Sequence, residues 1–267
     1  MSTSETEILP VEKFKHFLDT PLTIGIYGDV GVTSHTYNSA LYGLMQVLGT
    51  GVTYKLLKAP EVISGAWRED IDVFVMPGGA TTPMHEKLTE AGCAQIREYV
   101  NEGGRYIGFC AGAYFGAAFV EFAKGDPDLE RITERELGFF PGTAVGPVFA
   151  GFKYHELKKS LAVRLSFPEK KYNSHFSYFN GGCYFKGVTN HGNTKVISTY
   201  PEKQDKAAII MCTAGDGKAL LCGPHIEYVP ELLPPEVPED VIQKLLSTKE
   251  QKQNALGLMI EELLSEN

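Results

Sequence analysis

Three short stretches of the chain place groups that could act together on a carbonyl carbon. Gly108-Phe109-Cys110-Ala111-Gly112 has the glycine spacing of a tight strand-to-helix turn, where small neighbours let the backbone hold a nucleophile in a strained, exposed position. A cysteine at such a helix N-terminus faces backbone N–H groups and the helix dipole, both of which favour the thiolate. The pentapeptide alone fits an ordinary core thiol better than a catalytic one, because cysteine is among the most buried residue types. Pro77-Gly78-Gly79 ends the preceding strand, and its amides, with that of Ala111, can be aimed at a developing oxyanion. His225-Ile226-Glu227 follows the last strand; His225 is placed to take the thiol proton, and Glu227, two residues on along an extended segment, orients the imidazole from the same side. A glycine pair is usually a turn, and His-x-Glu is common in exposed loops. The order oxyanion loop, cysteine, histidine, glutamate, each at a strand end, is what predicts a Cys110-His225-Glu227 triad with Gly78, Gly79 and Ala111 at the oxyanion hole.

These groups need a scaffold that brings strand ends together. Leu22–Tyr27 reads as a short buried strand stopped by Gly28, and Asn38–Leu48 as a helix with Leu41, Leu44, Met45 and Leu48 on one face. Val52–Leu57, Ile71–Met76 and Arg105–Phe109 are further strands, with a helical pattern through Ile96 and Val100 before the last of them. Strands alternating with helices predict a parallel sheet covered on both faces. From Leu137 the texture becomes β-rich, with short runs at Ala162–Phe167, Cys183–Val188, Lys195–Tyr200 and Ala207–Thr213, and Ala219–Cys222 leading into His225. Pro230–Pro238, with four prolines, reads as a stiff connector to one final helix carrying Val241, Leu245, Leu256, Met259, Ile260 and Leu263. The expected division is an N-terminal extension (1–20), a domain (21–230), and a linker with a docked C-terminal helix (231–267).

Composition narrows the function classes. A net charge of −8 over 267 residues argues against a nucleic-acid partner, which would require clustered Lys and Arg. The polar, acidic first ten residues lack the basic and apolar regions of a secretory signal, and no apolar stretch approaches the roughly 20 residues of a membrane span. Five cysteines at irregular spacing fit free thiols in a reducing, cytoplasmic setting. Without a C-x-x-C pair, and with histidines scattered singly, no metal site and no cofactor is expected. Gly28-Asp29-Val30-Gly31 lacks the lysine of a phosphate loop and reads as a turn at the pocket rim. Cys93, Cys183, Cys212 and Cys222 read as inert core thiols, His175 and His191 as solvated loop residues, and Glu121 as a carboxylate on the helix after Cys110.

The longer motifs resemble the amino-terminal domain of fungal-type biotin-protein ligases, a class I glutamine-amidotransferase-like family. The resemblance runs from about Ile24 to Tyr228 and rests on Met76-Pro-Gly-Gly79, Gly108-Phe-Cys-Ala-Gly-Ala-Tyr-Phe-Gly116, Val120-Glu-Phe-Ala-Lys-Gly-Asp-Pro127, Phe139-Phe-Pro-Gly-Thr143, Tyr178-Phe-Asn-Gly-Gly182 and Gly223-Pro-His-Ile-Glu227. It implies an α/β, flavodoxin-like three-layer sandwich with a mostly parallel central sheet, and a Cys-His-Glu triad carried here by Cys110, His225 and Glu227. Tyr114, Tyr178 and Asn180, inside the shared motifs, are expected to line a substrate pocket. Tyr114 stands where glutamine-hydrolysing relatives usually have Gln, Ala111 where the related peptidase and deglycase group usually has His, and Ile226 where Pro is common. The residues after Pro230 are too few for a ligase catalytic domain. The leading expectation is therefore a cysteine-dependent amide or acyl hydrolase or transferase acting on a small molecule. The alternative is a non-catalytic ligand-binding or regulatory module.

Overall fold

Five apolar runs build the centre of the molecule. In a computed structural model, which describes residues 21–49, 51–154 and 156–265, they form β1 (Thr23–Tyr27), β2 (Thr53–Leu57), β3 (Val73–Met76), β4 (Arg105–Phe109) and, far along the chain, β13 (Gly217–Cys222). They lie parallel in the order β2-β1-β3-β4-β13. The expected N-terminal extension falls outside the described residues. Period-two alternation sends successive side chains to opposite faces. Val73 and Val75 belong to a core shared with helix α1 (Ser34–Leu48) and helix α6 (Lys249–Leu264), whereas Phe74 and Met76 belong to a core shared with α2 (Ala59–Ser64) and α3 (Thr81–Asn101). Both faces are thus covered, giving three layers with the sheet in the middle.

The β-rich half extends this sheet rather than making a separate one. After the short α4 (Ala111–Phe115) come β5 (Ala117–Phe122), β6 (Arg131–Glu134), β7 (Phe140–Gly146), β8 (Leu161–Leu165), β9 (His175–Phe179), β10 (Tyr184–Lys186), β11 (Thr194–Tyr200) and β12 (Lys206–Ala214). β12 pairs antiparallel with β13, and the sheet continues through β10, β7, β5 and β6, with β11 also on β12; β8 and β9 form a separate pair. The flavodoxin-like α/β order of the first half and the strand-rich second half agree with the sequence reading; in the second half β5 runs parallel to β7 and the other pairs are antiparallel.

Local chemistry explains the helix boundaries. Thr33 caps α1, with its hydroxyl accepting from the Thr36 amide and the Thr36 hydroxyl accepting in return from the Thr33 amide. Gly43 lies where an added Cβ would come within 1.9 Å of the Glu227 carbonyl oxygen, so α1 approaches the Glu227 backbone closely. α3 is interrupted at Thr89, whose φ of 58° leaves the helical region.

Three expectations need correction. The single final helix is two, α5 (Glu239–Ser247) and α6, broken at Thr248, whose φ/ψ of −130°/23° is not helical. Val241 and Leu245 pack with Tyr178 and Tyr228, while Leu256, Met259, Ile260 and Leu263 join the α1 side of the sheet. Glu121 lies on strand β5, because α4 stops after five residues at Gly116, and it pairs with Lys124 at 3.4 Å. His175 is a buried β9 residue, not a solvated one: Nδ1 is 3.0 Å from the Asn173 carbonyl oxygen, and burial pushes its pKa down to about 4. His191 is half-buried, edge-on to Phe140. Among the described residues no helix is long and apolar enough to cross a membrane.

Candidate active site

The C-terminal ends of the parallel strands converge on one cavity of about 490 Å³. Gly31 reaches it from beyond β1, Gly79 from β3, Cys110 from β4 and His225 from β13. This is where open parallel sheets place their ligands.

Cys110 is held between β4 and α4 with φ 49° and ψ −101°, a left-handed conformation costly for a residue with a Cβ. Its amide donates to the Cys222 carbonyl at 2.8 Å, continuing the β4–β13 pairing, and its carbonyl accepts from Ala113 and Tyr114. The flanking glycines are required by space. A Cβ at Gly108 would lie 2.4 Å from the Gly112 carbonyl oxygen, and one at Gly112 would lie 2.0 Å from the Met76 carbonyl oxygen. The two glycines therefore let the turn sit tightly against β3 and β4. Because α4 is only five residues long, its dipole is small, and the group that most directly faces the thiol is His225.

Sequence motif and geometry meet at His225. Nδ1 lies 2.7 Å from Glu227 Oε1, both side chains buried, and the imidazole lines the same cavity as Cys110. With Nδ1 turned to Glu227, Nε2 is the nitrogen left for the thiol. Burial disfavours a charged ring, but Cys110 and Glu227 outweigh it and raise the pKa to about 10. The backbone is fixed by the His225 amide donating to the Tyr178 carbonyl at 2.9 Å, an isolated bridge to the end of β9. The ring is packed against Tyr228 (centroids 4.3 Å apart) and edge-on to Tyr178 (5.7 Å). Behind Glu227, the buried Lys252 ammonium donates to the Tyr228 carbonyl; burial lowers its pKa to about 8 against the opposing pull of Glu227 and Glu231.

The glycine pair has two spatial reasons besides its amides. A Cβ on Gly78 would come within 2.5 Å of His225 Cε1, and one on Gly79, whose φ is 152°, within 2.0 Å of the Gly31 carbonyl oxygen. Ala111 opens α4, where a backbone N–H has no intrahelical partner. Gly79 and Ala111 both line the cavity, whereas Gly78 lies behind it against the imidazole.

Tyr114, Tyr178 and Asn180 are all on the wall. The Tyr114 hydroxyl is spent on the Gly181 carbonyl at 2.9 Å, so it presents its ring. The Asn180 carbonyl oxygen is 3.8 Å from the Cys110 sulfur. All five cysteines are buried, so Cys110 is not the exposed residue expected from the sequence, although it lines the cavity; burial raises the other four thiols, Cys93 and Cys212 to about 12.

Sequence reasoning missed several wall residues. His35 lies in the first turn of α1, ahead of the expected helix start at Asn38; its ring is edge-on to Tyr228, its Nε2 is buried without a hydrogen-bond partner, and burial, then His225, lowers its pKa. Phe122 on β5, Arg131 on the edge strand β6, and Phe152 and Tyr154 in a loop are brought together by pairing that no local pattern specifies. Away from the cavity, ligand atoms of His85, Cys93 and Glu136 lie within 4.8 Å of one another. His85 Nε2 is already 2.6 Å from Glu136 Oε1, and Arg97 and Arg135 flank the trio, so it is a hydrogen-bonded knot with cations beside it rather than an electron-rich metal cage.

Residues 22–266 match the family described as biotin-protein ligase, N terminal. An uncharacterized protein of Chlamydia muridarum is 42% identical over 167 residues, covering 62% of this chain and 64% of that protein. The biotin–protein ligase of Schizosaccharomyces pombe is 36% identical over 170 residues, 62% of this chain and 27% of the ligase. The aligned part thus spans less than two thirds of either relative. Among solved structures, a ThuA-like protein of Bacteroides uniformis superposes with a TM-score of 0.51 at 11% identity, covering 89% of this chain and 91% of that one. The exo-β-1,4-mannosidase of an Opitutaceae bacterium does so with a TM-score of 0.51 at 9% identity, covering 92% and 37%. At these identities the likeness is one of fold.

Proposed function

This chain belongs to the biotin-protein ligase N-terminal family, and we propose that it is a cysteine-dependent acyl or amide hydrolase or transferase. The observation that carries the reading is the buried His225–Glu227 pair, whose imidazole lines one cavity with Cys110 and has its pKa raised by Cys110 and Glu227 against the effect of burial. His225 takes the thiol proton through Nε2 while Glu227 holds the imidazolium from Nδ1. The thiolate attacks the substrate carbonyl carbon, and the carbonyl π electrons move to oxygen, which the Gly79 and Ala111 amides receive. Collapse re-forms the carbonyl and expels the leaving amine or thiol, which takes the proton from His225, leaving a thioester on Cys110. Water or an acceptor amine, deprotonated by His225, then attacks the thioester and returns the proton to sulfur.

Incubating the protein with cell extract and analysing the Cys110 peptide by mass spectrometry tests this directly. An acyl adduct on wild-type Cys110, absent from His225→Ala, is the expected result. No adduct at Cys110 under any extract fraction, alongside a ligand retained in the cavity, would favour a binding or regulatory module instead.

A further inference from the structure

The side of the cavity away from the strand ends is built from rings and one cation. Phe122 and Arg131 are directly opposed in the antiparallel β5–β6 pair, so both side chains leave the sheet on the same face. Phe122 is edge-on to Tyr114 and to Phe152, each at 5.6 Å, and Phe152 is edge-on to Tyr154 at 5.0 Å. Among the described wall residues, Arg131 is the one with a permanent charge, and none is a carboxylate. The Arg131 guanidinium has no ion-pair partner among the described residues; its hydrogen bond goes to the Glu130 carbonyl at 2.6 Å. The nearby carboxylates are turned elsewhere, Glu130 to the Gly125 amide at 2.7 Å and Glu121 to Lys124. The Arg131 charge is felt at Tyr154, where it opposes the burial that raises the phenol pKa.

A carboxylate or phosphate arriving at Arg131 gains charge-assisted, forked hydrogen bonds from a guanidinium not committed to another anion. A substrate ammonium finds no carboxylate on this wall, and the rings favour an apolar or aromatic body. Resting on the thiol chemistry set out above, we propose that the substrate is an anionic amphiphile. Its acyl or amide carbonyl sits at Cys110, its apolar or aromatic body lies along Tyr114, Phe122, Phe152 and Tyr154, and its carboxylate or phosphate reaches Arg131. Zwitterionic amino acids such as free glutamine fit this wall poorly.

The test is alkylation, which needs a reactive thiol and a shaped pocket but no turnover. N-substituted iodoacetamides with aliphatic tails ending in methyl, carboxylate, phosphonate or trimethylammonium are reacted with wild-type protein and with Arg131→Gln, and the Cys110 peptide is followed by mass spectrometry. The anionic tails should label wild-type Cys110 about fivefold or more faster than the methyl tail at low salt, with trimethylammonium slowest, and added salt should compress the range. Arg131→Gln should collapse the spread. The carboxylate-to-phosphonate ratio distinguishes the two anions. Equal rates for all tails, or a ranking untouched by Arg131→Gln, would overturn this substrate class while leaving the thiol reading intact. Labelling of Cys110 no faster than of Cys93 with every tail would overturn the thiol reading itself, and this inference with it.

Discussion

Oε1 of Glu227 lies 2.7 Å from Nδ1 of His225, and both side chains are buried. An imidazole anchored through Nδ1 leaves Nε2 for Cys110, which lines the same cavity. Iodoacetamide at neutral pH should therefore modify Cys110 much faster than Cys93, Cys183, Cys212 or Cys222, whose thiols burial holds up. His225→Ala should slow this sharply. Glu227→Gln, which removes one of the charges holding the ring proton, should slow it and lower the pH at which the ring titrates, read by NMR of the imidazole.

The left-handed backbone of Cys110 separates role from stability. Cys110→Ala keeps the same strained φ and should change stability by no more than about 1 kcal/mol, whereas Cys110→Gly should be at least as stable as wild type, because glycine adopts this φ without penalty. Phe109→Ala, one residue away and fully buried, should cost about 2–5 kcal/mol. Urea titrations give all three. Unfolding of Cys110→Ala would mark the residue as structural.

Gly78→Ala isolates the steric demand of the imidazole. The added methyl would stand 2.5 Å from His225 Cε1, so the ring must move off the thiol. Alkylation of Cys110 should fall toward the rate in His225→Ala while the far-UV circular dichroism is retained. An unchanged rate would show that the ring position does not control the thiol.

Ammonia release from glutamine should be near background. Tyr114 stands four residues past Cys110 with its hydroxyl taken by Gly181, leaving no side-chain amide there to pair with the polar groups of glutamine. Tyr114→Gln should raise the rate if that amide is what is missing. Robust wild-type glutaminase activity lost in Cys110→Ala would restore a conventional amidotransferase.

Acid stability should carry the signature of His175. Burial holds its folded pKa near 4 against an ordinary 6.5, so between those values the unfolded chain binds a proton that the native state does not. Stability is then fully present above about pH 6.5 and lost as pH falls toward 4, by an amount on the order of 2–3 kcal/mol. His175→Gln should flatten this part of the stability–pH curve measured by chemical denaturation. An identical curve in the variant would assign the acid loss to other groups.

Residues that act through local rules were legible without coordinates. Strand-end glycines around Cys110, the His225-x-Glu227 spacing and the two-face pattern of Val73–Met76 each reflect a constraint within a few neighbours. Residues that act through pairing were not. Nothing local stops α4 at Gly116, so the pattern puts Glu121 on a helix; the helix ends where β5 is captured by β7, a distant partner that pairs Glu121 with Val145. His175 looked polar and loop-like because the residues that bury it, including Phe167 beside its ring, come from segments with no periodicity of their own. The single final helix was split at Thr248, whose hydroxyl accepts from the Phe176 amide at 2.9 Å, a long-range bond no helical period announces. Arg131, the cation of the cavity, sits on an exposed four-residue edge strand.

The bond from the Cys110 amide to the Cys222 carbonyl joins points more than a hundred residues apart, and His225 lies just beyond the second of them. During synthesis the thiol emerges long before the imidazole that would activate it. Loop closure over that separation is slow compared with local turns. A nascent chain thus carries Cys110 apart from His225, and the two meet only when β13 has docked beside β4. On the proposed reading, the thiol is activated no earlier than the cavity around it is complete.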